Sequence, residues 1–94
     1  MTSVYVDTAH GPARAVVHGS DESQAALFLG HGAGGGIDAP DLVAVTRAAT
    51  SLGVDVALIE QPYRVAGRKA PAPAKQLDAA WLAVVEDVGQ RWFP

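Results

Sequence analysis

The stretch that most constrains this chain is Leu27-Phe28-Leu29-Gly30-His31-Gly32-Ala33-Gly34-Gly35-Gly36. An apolar run breaks into a loop made almost wholly of glycine. A helical pattern opens shortly afterwards, near Asp38-Ala39-Pro40-Asp41. Glycine lacks a Cβ, so a ligand can come close to the backbone and its N–H groups. The start of the next helix adds N–H groups without helical partners and a partial positive charge. A strand feeding such a loop suits a negatively charged oxygen: an oxyanion, a phosphate or a carboxylate.

The flanking segments give the fold class. Ser3–Thr8 alternates and is rich in β-branched and aromatic residues, which predicts a strand. Ala9-His10-Gly11-Pro12 is a turn cluster, and Ala13–His18 reads as a second strand, close enough to the first for an antiparallel hairpin. Ala25–Leu29 is continuously apolar, as expected of a strand covered on both faces. Asp38 is placed as the N-cap of the following helix, with Pro40 in its first turn. Leu42, Val45, Ala49 and Leu52 recur at helical spacing, and Gly53 sits where a closing glycine belongs. Val54–Ile59 is a second buried-type strand. Strand, glycine loop, helix and strand make a right-handed βαβ crossover with parallel strands.

Residues 60–73 read as a long, proline-marked loop carrying Tyr63, Arg64, Arg68 and Lys69. A last helix is predicted from Ala74 to Trp92, with Leu77, Trp81, Val84 or Val85, Val88 and Trp92 as its apolar stripe. The predicted class is α/β in three layers: an N-terminal hairpin, a parallel βαβ unit and a further helix. A helix in this position normally returns the chain to another parallel strand. Residues 1–94 therefore read as a single, incomplete domain.

Composition narrows the function. The net charge of −3 argues against a nucleic-acid surface. Cysteine is absent, which excludes thiolate zinc sites and fits a reducing compartment. No apolar run approaches the ~20 residues of a membrane span, and Met1-Thr2-Ser3 does not open a secretory signal, so a cytoplasmic location is expected. His10, His18 and His31 are too scattered for a metal site, and no cofactor is expected.

An apolar strand followed by His-Gly, a small residue and further glycine resembles the third strand and first loop of α/β hydrolases. The segment 29–36, Glu60-Gln61-Pro62-Tyr63-Arg64, Gly67-Arg68, Pro71 and Pro73, and Leu77-Asp78-Ala79-Ala80-Trp81 resemble one branch of that superfamily in particular. It contains small, cap-less, dienelactone-hydrolase-like proteins, many of them only predicted hydrolases. The resemblance implies that His31 and Gly32 shape an oxyanion loop and that the N–H groups of Ala33 and Gly34 are its donors. They would steady the negative oxygen formed when a serine attacks a small-molecule ester or related acyl substrate. Tyr63 and Arg64 are carried over as loop residues near the substrate. No Gly-x-Ser-x-Gly occurs among the 94 residues, and the family's nucleophile, acid and base all fall later in the fold. The chain alone is thus expected to be inactive. The family topology also makes Ala25–Leu29 an edge strand that invites self-association or a complementing C-terminal half.

Two alternatives stay open at this level. One is a non-enzymatic association module with a hydrolase-like fold. The other is a dinucleotide site, since Gly30-x-Gly32-x-x-Gly35 follows a strand and Glu60 ends the next. Against the latter, the glycines run on to Gly36, and Asp38 and Asp41 place negative charge where a pyrophosphate would lie. A Walker-type loop is excluded because no Gly-Lys-Ser/Thr follows. Arg64 could meet a substrate anion or pair with Glu60 or an aspartate.

Overall fold

The computed structural model describes residues 1–92. Four strands form one sheet: β1 (Thr2–Thr8), β2 (Gly11–His18), β3 (Ala25–Gly30) and β4 (Val54–Glu60). Three helices accompany them: α1 (Pro40–Ser51), α2 (Pro62–Val65) and α3 (Ala74–Trp92). The spatial order is β1-β2-β4-β3. The hairpin β1–β2 is antiparallel, with Thr2 opposite Val17 and Thr8 opposite Gly11. Strand β2 then runs antiparallel to β4, and β3 runs parallel to β4 with Ala25 opposite Val54 and Gly30 opposite Ile59. The hairpin and the parallel βαβ unit are therefore as the sequence predicts. Strand β3 lies at the edge of the sheet.

The sheet is covered on both faces because β2 and β4 carry apolar side chains at consecutive positions. On one face Ala13, Ala15, Val17, Ala57 and Ile59 meet Val84 and Val88 of α3, with Phe28 and Trp81 packed alongside. On the other face Val16, Val56 and Leu58 meet Leu27, Leu29, Leu42 and Ala49. Helices α3 and α1 thus form the two outer layers. The buried core is mostly aliphatic, with β-branched residues predominating and Tyr63 as its aromatic member.

Three local expectations are corrected. The N-cap of α1 is Ala39, with φ −57° and ψ 140° and no side-chain cap, not Asp38. A residue before proline is pushed to extended backbone, so Pro40 fixes Ala39 as the last non-helical residue. The inward face of α1 holds Leu42, Thr46 and Ala49, whereas Val45 and Leu52 are 43% and 80% exposed. Thr46 is tolerated there because its hydroxyl donates to the Leu42 carbonyl at 2.7 Å. On α3 the buried positions are Ala80, Val84 and Val88, while Trp92 is 39% exposed. The closing glycine of α1 is as expected: Gly53 has φ +81° and its N–H donates to Thr50 O.

Residues 60–73 are also less irregular than predicted. Pro62 opens α2 after an extended Gln61, and Gly67 closes it at φ +80°. The Arg68 N–H donates to Tyr63 O at 2.9 Å, the long bond of a glycine-closed helix end. This single turn turns Tyr63 inward, to 4% exposure, and leaves Arg64 half-buried.

Candidate active-site loop

Strands β3 and β4 are parallel, so their C-terminal ends, Gly30 and Glu60, lie side by side. The loops that leave them, 31–39 and 61–73, therefore share one end of the sheet, where ligands of α/β folds bind. Gly30 packs closely at the exit of β3. A Cβ there would stand 3.2 Å from Cζ3 of Trp81.

His31 joins the two loops. The backbone N–H of Gln61 donates to His31 Nε2 at 3.1 Å, so that nitrogen carries no proton. The ring proton is then on Nδ1, which donates to the Gly32 carbonyl at 3.0 Å. The same carbonyl accepts from the Gly35 N–H at 3.1 Å, closing a four-residue turn over 32–35. Tyr63 stands edge-on to His31, with ring centroids 5.8 Å apart and planes at 72°. Its hydroxyl donates to the Ala33 carbonyl at 3.3 Å.

These contacts involve only the carbonyl sides of the two peptides around Ala33. The N–H groups of Ala33 and Gly34 donate to no protein group among the described residues. Both residues are exposed. A planar trans peptide points its N–H opposite to its C=O. With the Gly32 and Ala33 carbonyls held by protein donors, the adjoining N–H groups of Ala33 and Gly34 lie on the opposite edges of those two peptides.

Further along, Gly36 is hemmed in: a Cβ would lie 3.0 Å from Asp38 Oδ1 and 3.5 Å from Arg64 Nη2. Arg64 thus borders the glycine loop. It makes no ion pair among the described residues. Glu60 pairs instead with Arg14, its cross-strand neighbour, at 3.1 Å. That pair, and a helix that starts at Pro40 rather than at Gly35, remove two features a dinucleotide fingerprint needs. A cleft of about 30 Å³ lies on the α3 side of Tyr63, between His10, Gln61, Arg68 and Leu77. It has room for one or two waters, not for an acyl substrate. Among the described residues no group of His, Cys, Asp and Glu could hold a metal, and no helix is long and apolar enough to cross a membrane.

Sequence reasoning reached His31, Gly32, Ala33, Gly34, Tyr63 and Arg64, and the structure brings all six to one end of the sheet. It missed Gln61, whose backbone N–H holds His31 and whose side-chain amide donates to Leu77 O at 3.2 Å. Pro62 and Gly67 bracketing Tyr63 were the legible signal for α2, and with it for an ordered Gln61.

The fold resembles part of two solved structures. One is described as an α/β serine hydrolase homologue and the other as an esterase. An α/β serine hydrolase homologue from Coxiella burnetii superposes with a TM-score of 0.69 at 12% identity, over 97% of this chain and 46% of that one. A cold-adapted esterase from an Arctic intertidal metagenomic library, solved as a PEG-bound complex, gives 0.70 at 14% identity, over 95% and 44%. The chain thus spans a little under half the length of each. No protein-family model matches the sequence, and no curated protein does.

Proposed function

We propose that this chain supplies the oxyanion-binding loop of an ester- or acyl-hydrolysing α/β hydrolase, with nucleophile, acid and base provided from outside these 94 residues. The observation that supports it is the pair of unbonded amides at Ala33 and Gly34, whose carbonyl neighbours are anchored by His31, Gly35 and Tyr63. Preorganised donors of this kind stabilise the negative oxygen of acyl transfer without reorganising during reaction. His31 and Gly32 shape the loop. Arg64, half-buried, without a carboxylate partner among the described residues and bordering Gly36, is the cation available to an anionic substrate group. Serines occur at 3, 20, 23 and 51, none of them on a strand-to-helix elbow, so the chain alone turns over no ester.

Titration of the labelled chain with inorganic phosphate, followed by ¹H–¹⁵N spectra, tests the reading. The Ala33 and Gly34 amides should shift and saturate; unmoved amides would remove it. A fluorophosphonate probe that labels a serine here would overturn the placement of the nucleophile elsewhere.

A second reading is a hydrolase-like association module that acts through the edge of β3. It is favoured by that edge itself: residues 25–30 carry no charge and no proline, the usual guards of an open strand. Under either reading the strand pairs with a second copy or with a complementing C-terminal half. A clean monomer in sedimentation at micromolar concentration would count against it.

A further inference from the structure

We propose that Tyr63 is a positioning residue of the glycine loop: by holding the Ala33 carbonyl, its hydroxyl sets the direction of the Gly34 N–H. The inference rests on Ala33 and Gly34 being the oxyanion donors.

The two donor peptides are restrained unequally. The peptide joining Gly32 to Ala33 has its carbonyl held twice, by His31 Nδ1 at 3.0 Å and by the Gly35 N–H at 3.1 Å. The peptide joining Ala33 to Gly34 has one restraint among the described residues, the Tyr63 hydroxyl at 3.3 Å. That plane turns about ψ of Ala33 and φ of Gly34, and Gly34 resists the rotation little, because glycine occupies both signs of φ. Without the hydroxyl the plane can turn over, carrying the Gly34 N–H from an outward to an inward direction. The Ala33 N–H, on the doubly held plane, keeps its direction.

Tyr63 is itself well placed to act as an anchor. It is buried in the single turn of α2, which Pro62 begins and Gly67 ends, and its ring meets His31 edge to face. Its hydroxyl is turned into the loop rather than toward solvent. The residue therefore touches no substrate in this arrangement. It acts through the Ala33–Gly34 peptide and ties the donor geometry to the β4–α3 connection.

The test compares the full chain with Tyr63→Phe, which removes one oxygen and keeps the ring contact. Phosphate is titrated at fixed pH and ionic strength with ¹H–¹⁵N detection. Loss of one neutral hydrogen bond should weaken binding about three- to tenfold. The Gly34 amide should lose more of its phosphate-induced shift than Ala33 and should broaden before phosphate is added. A purely structural role would lower the unfolding midpoint and affect both amides alike. Replacing the two tyrosines by 3-fluorotyrosine keeps the donor and should retain the native affinity; this arm also serves if the phenylalanine variant does not fold. Native affinity and an unaltered Gly34 response in Tyr63→Phe would overturn the inference while leaving the oxyanion reading intact. Absence of any Ala33 or Gly34 response in the native chain would overturn both.

Discussion

The two loops that flank β3 solve the same problem in opposite ways. Residues 19–24 enter the strand at one end of the sheet, and residues 31–39 leave it at the other. At the entry, the Asp55 carboxylate accepts from the Ser20 N–H at 2.7 Å and from the Ser20 hydroxyl at 3.0 Å. The Gln24 N–H donates to Gly53 O at 3.0 Å. Two backbone donors there, those of Ser20 and Gln24, are matched by acceptors, one of them charged. At the exit no carboxylate among the described residues accepts from the loop's amides; side chains of His31 and Tyr63 hold carbonyls instead, and the N–H groups of Ala33 and Gly34 are among those left without a protein acceptor. Exposed unpaired donors add nothing to stability when water can serve them equally well. Side chains that hold carbonyls while amides stay open are what the proposed oxyanion role rests on.

This contrast can be broken by substitution. The largest effect should follow His31→Ala, which strips the partner from the part-buried Gln61 N–H and one holder from Gly32 O. We expect a loss of about 2–3 kcal/mol in denaturant unfolding, together with loss of phosphate response at Ala33. Next, Gly30→Ala places a methyl 3.2 Å from the Trp81 ring and should cost about 1–2 kcal/mol, readable as a lower unfolding midpoint and a changed Trp81 fluorescence. At the entry, Asp55→Ala removes two hydrogen bonds to Ser20 and should cost about 1 kcal/mol with no change in phosphate response, since the site lies at the other end of the strands.

The smallest effect sharpens the comparison through pH. The backbone N–H of Ser20, ahead of the Ser23 and Ser20 hydroxyls, holds the Asp55 carboxyl below its usual range against a smaller opposing effect of burial. The folded chain therefore binds that proton less readily than the unfolded one. Stability from Asp55 is complete above the unfolded carboxylate pKa of ~3.9 and is lost as pH falls through the lower folded value. Acid unfolding curves of Asp55→Asn should lack this part of the decline. Coincident acid limbs for the two proteins would show that the entry loop gains nothing from the charge.

Much of the fold was legible in residue patterns. The strands and α3 were found because β-branched runs and a 3.6-residue stripe are local signals. The face of α1 was legible in part: Leu42 and Ala49 pack inward, but Val45 and Leu52 satisfy the same periodicity from a slightly rotated stripe and lie exposed, with Thr46 inward instead. Which stripe turns inward depends on how the crossover lays α1 over β4 and β3. Arg64 and Glu60 are oppositely charged and close in sequence, yet Glu60 pairs with Arg14, forty-six residues away, because β2 and β4 are neighbours in register.

The sequence by itself determined where the chain must turn sharply and where amides could be approached: Gly30 to Gly36, Gly53 and Gly67 do this through the backbone freedom of one residue type. It also marked the strands, through short apolar or β-branched runs bounded by turn residues. Only the tertiary structure decided which amides remain open. That outcome depends on His31, Gln61 and Tyr63 meeting across two loops some thirty residues apart, and such meetings follow from strand order rather than from any local preference.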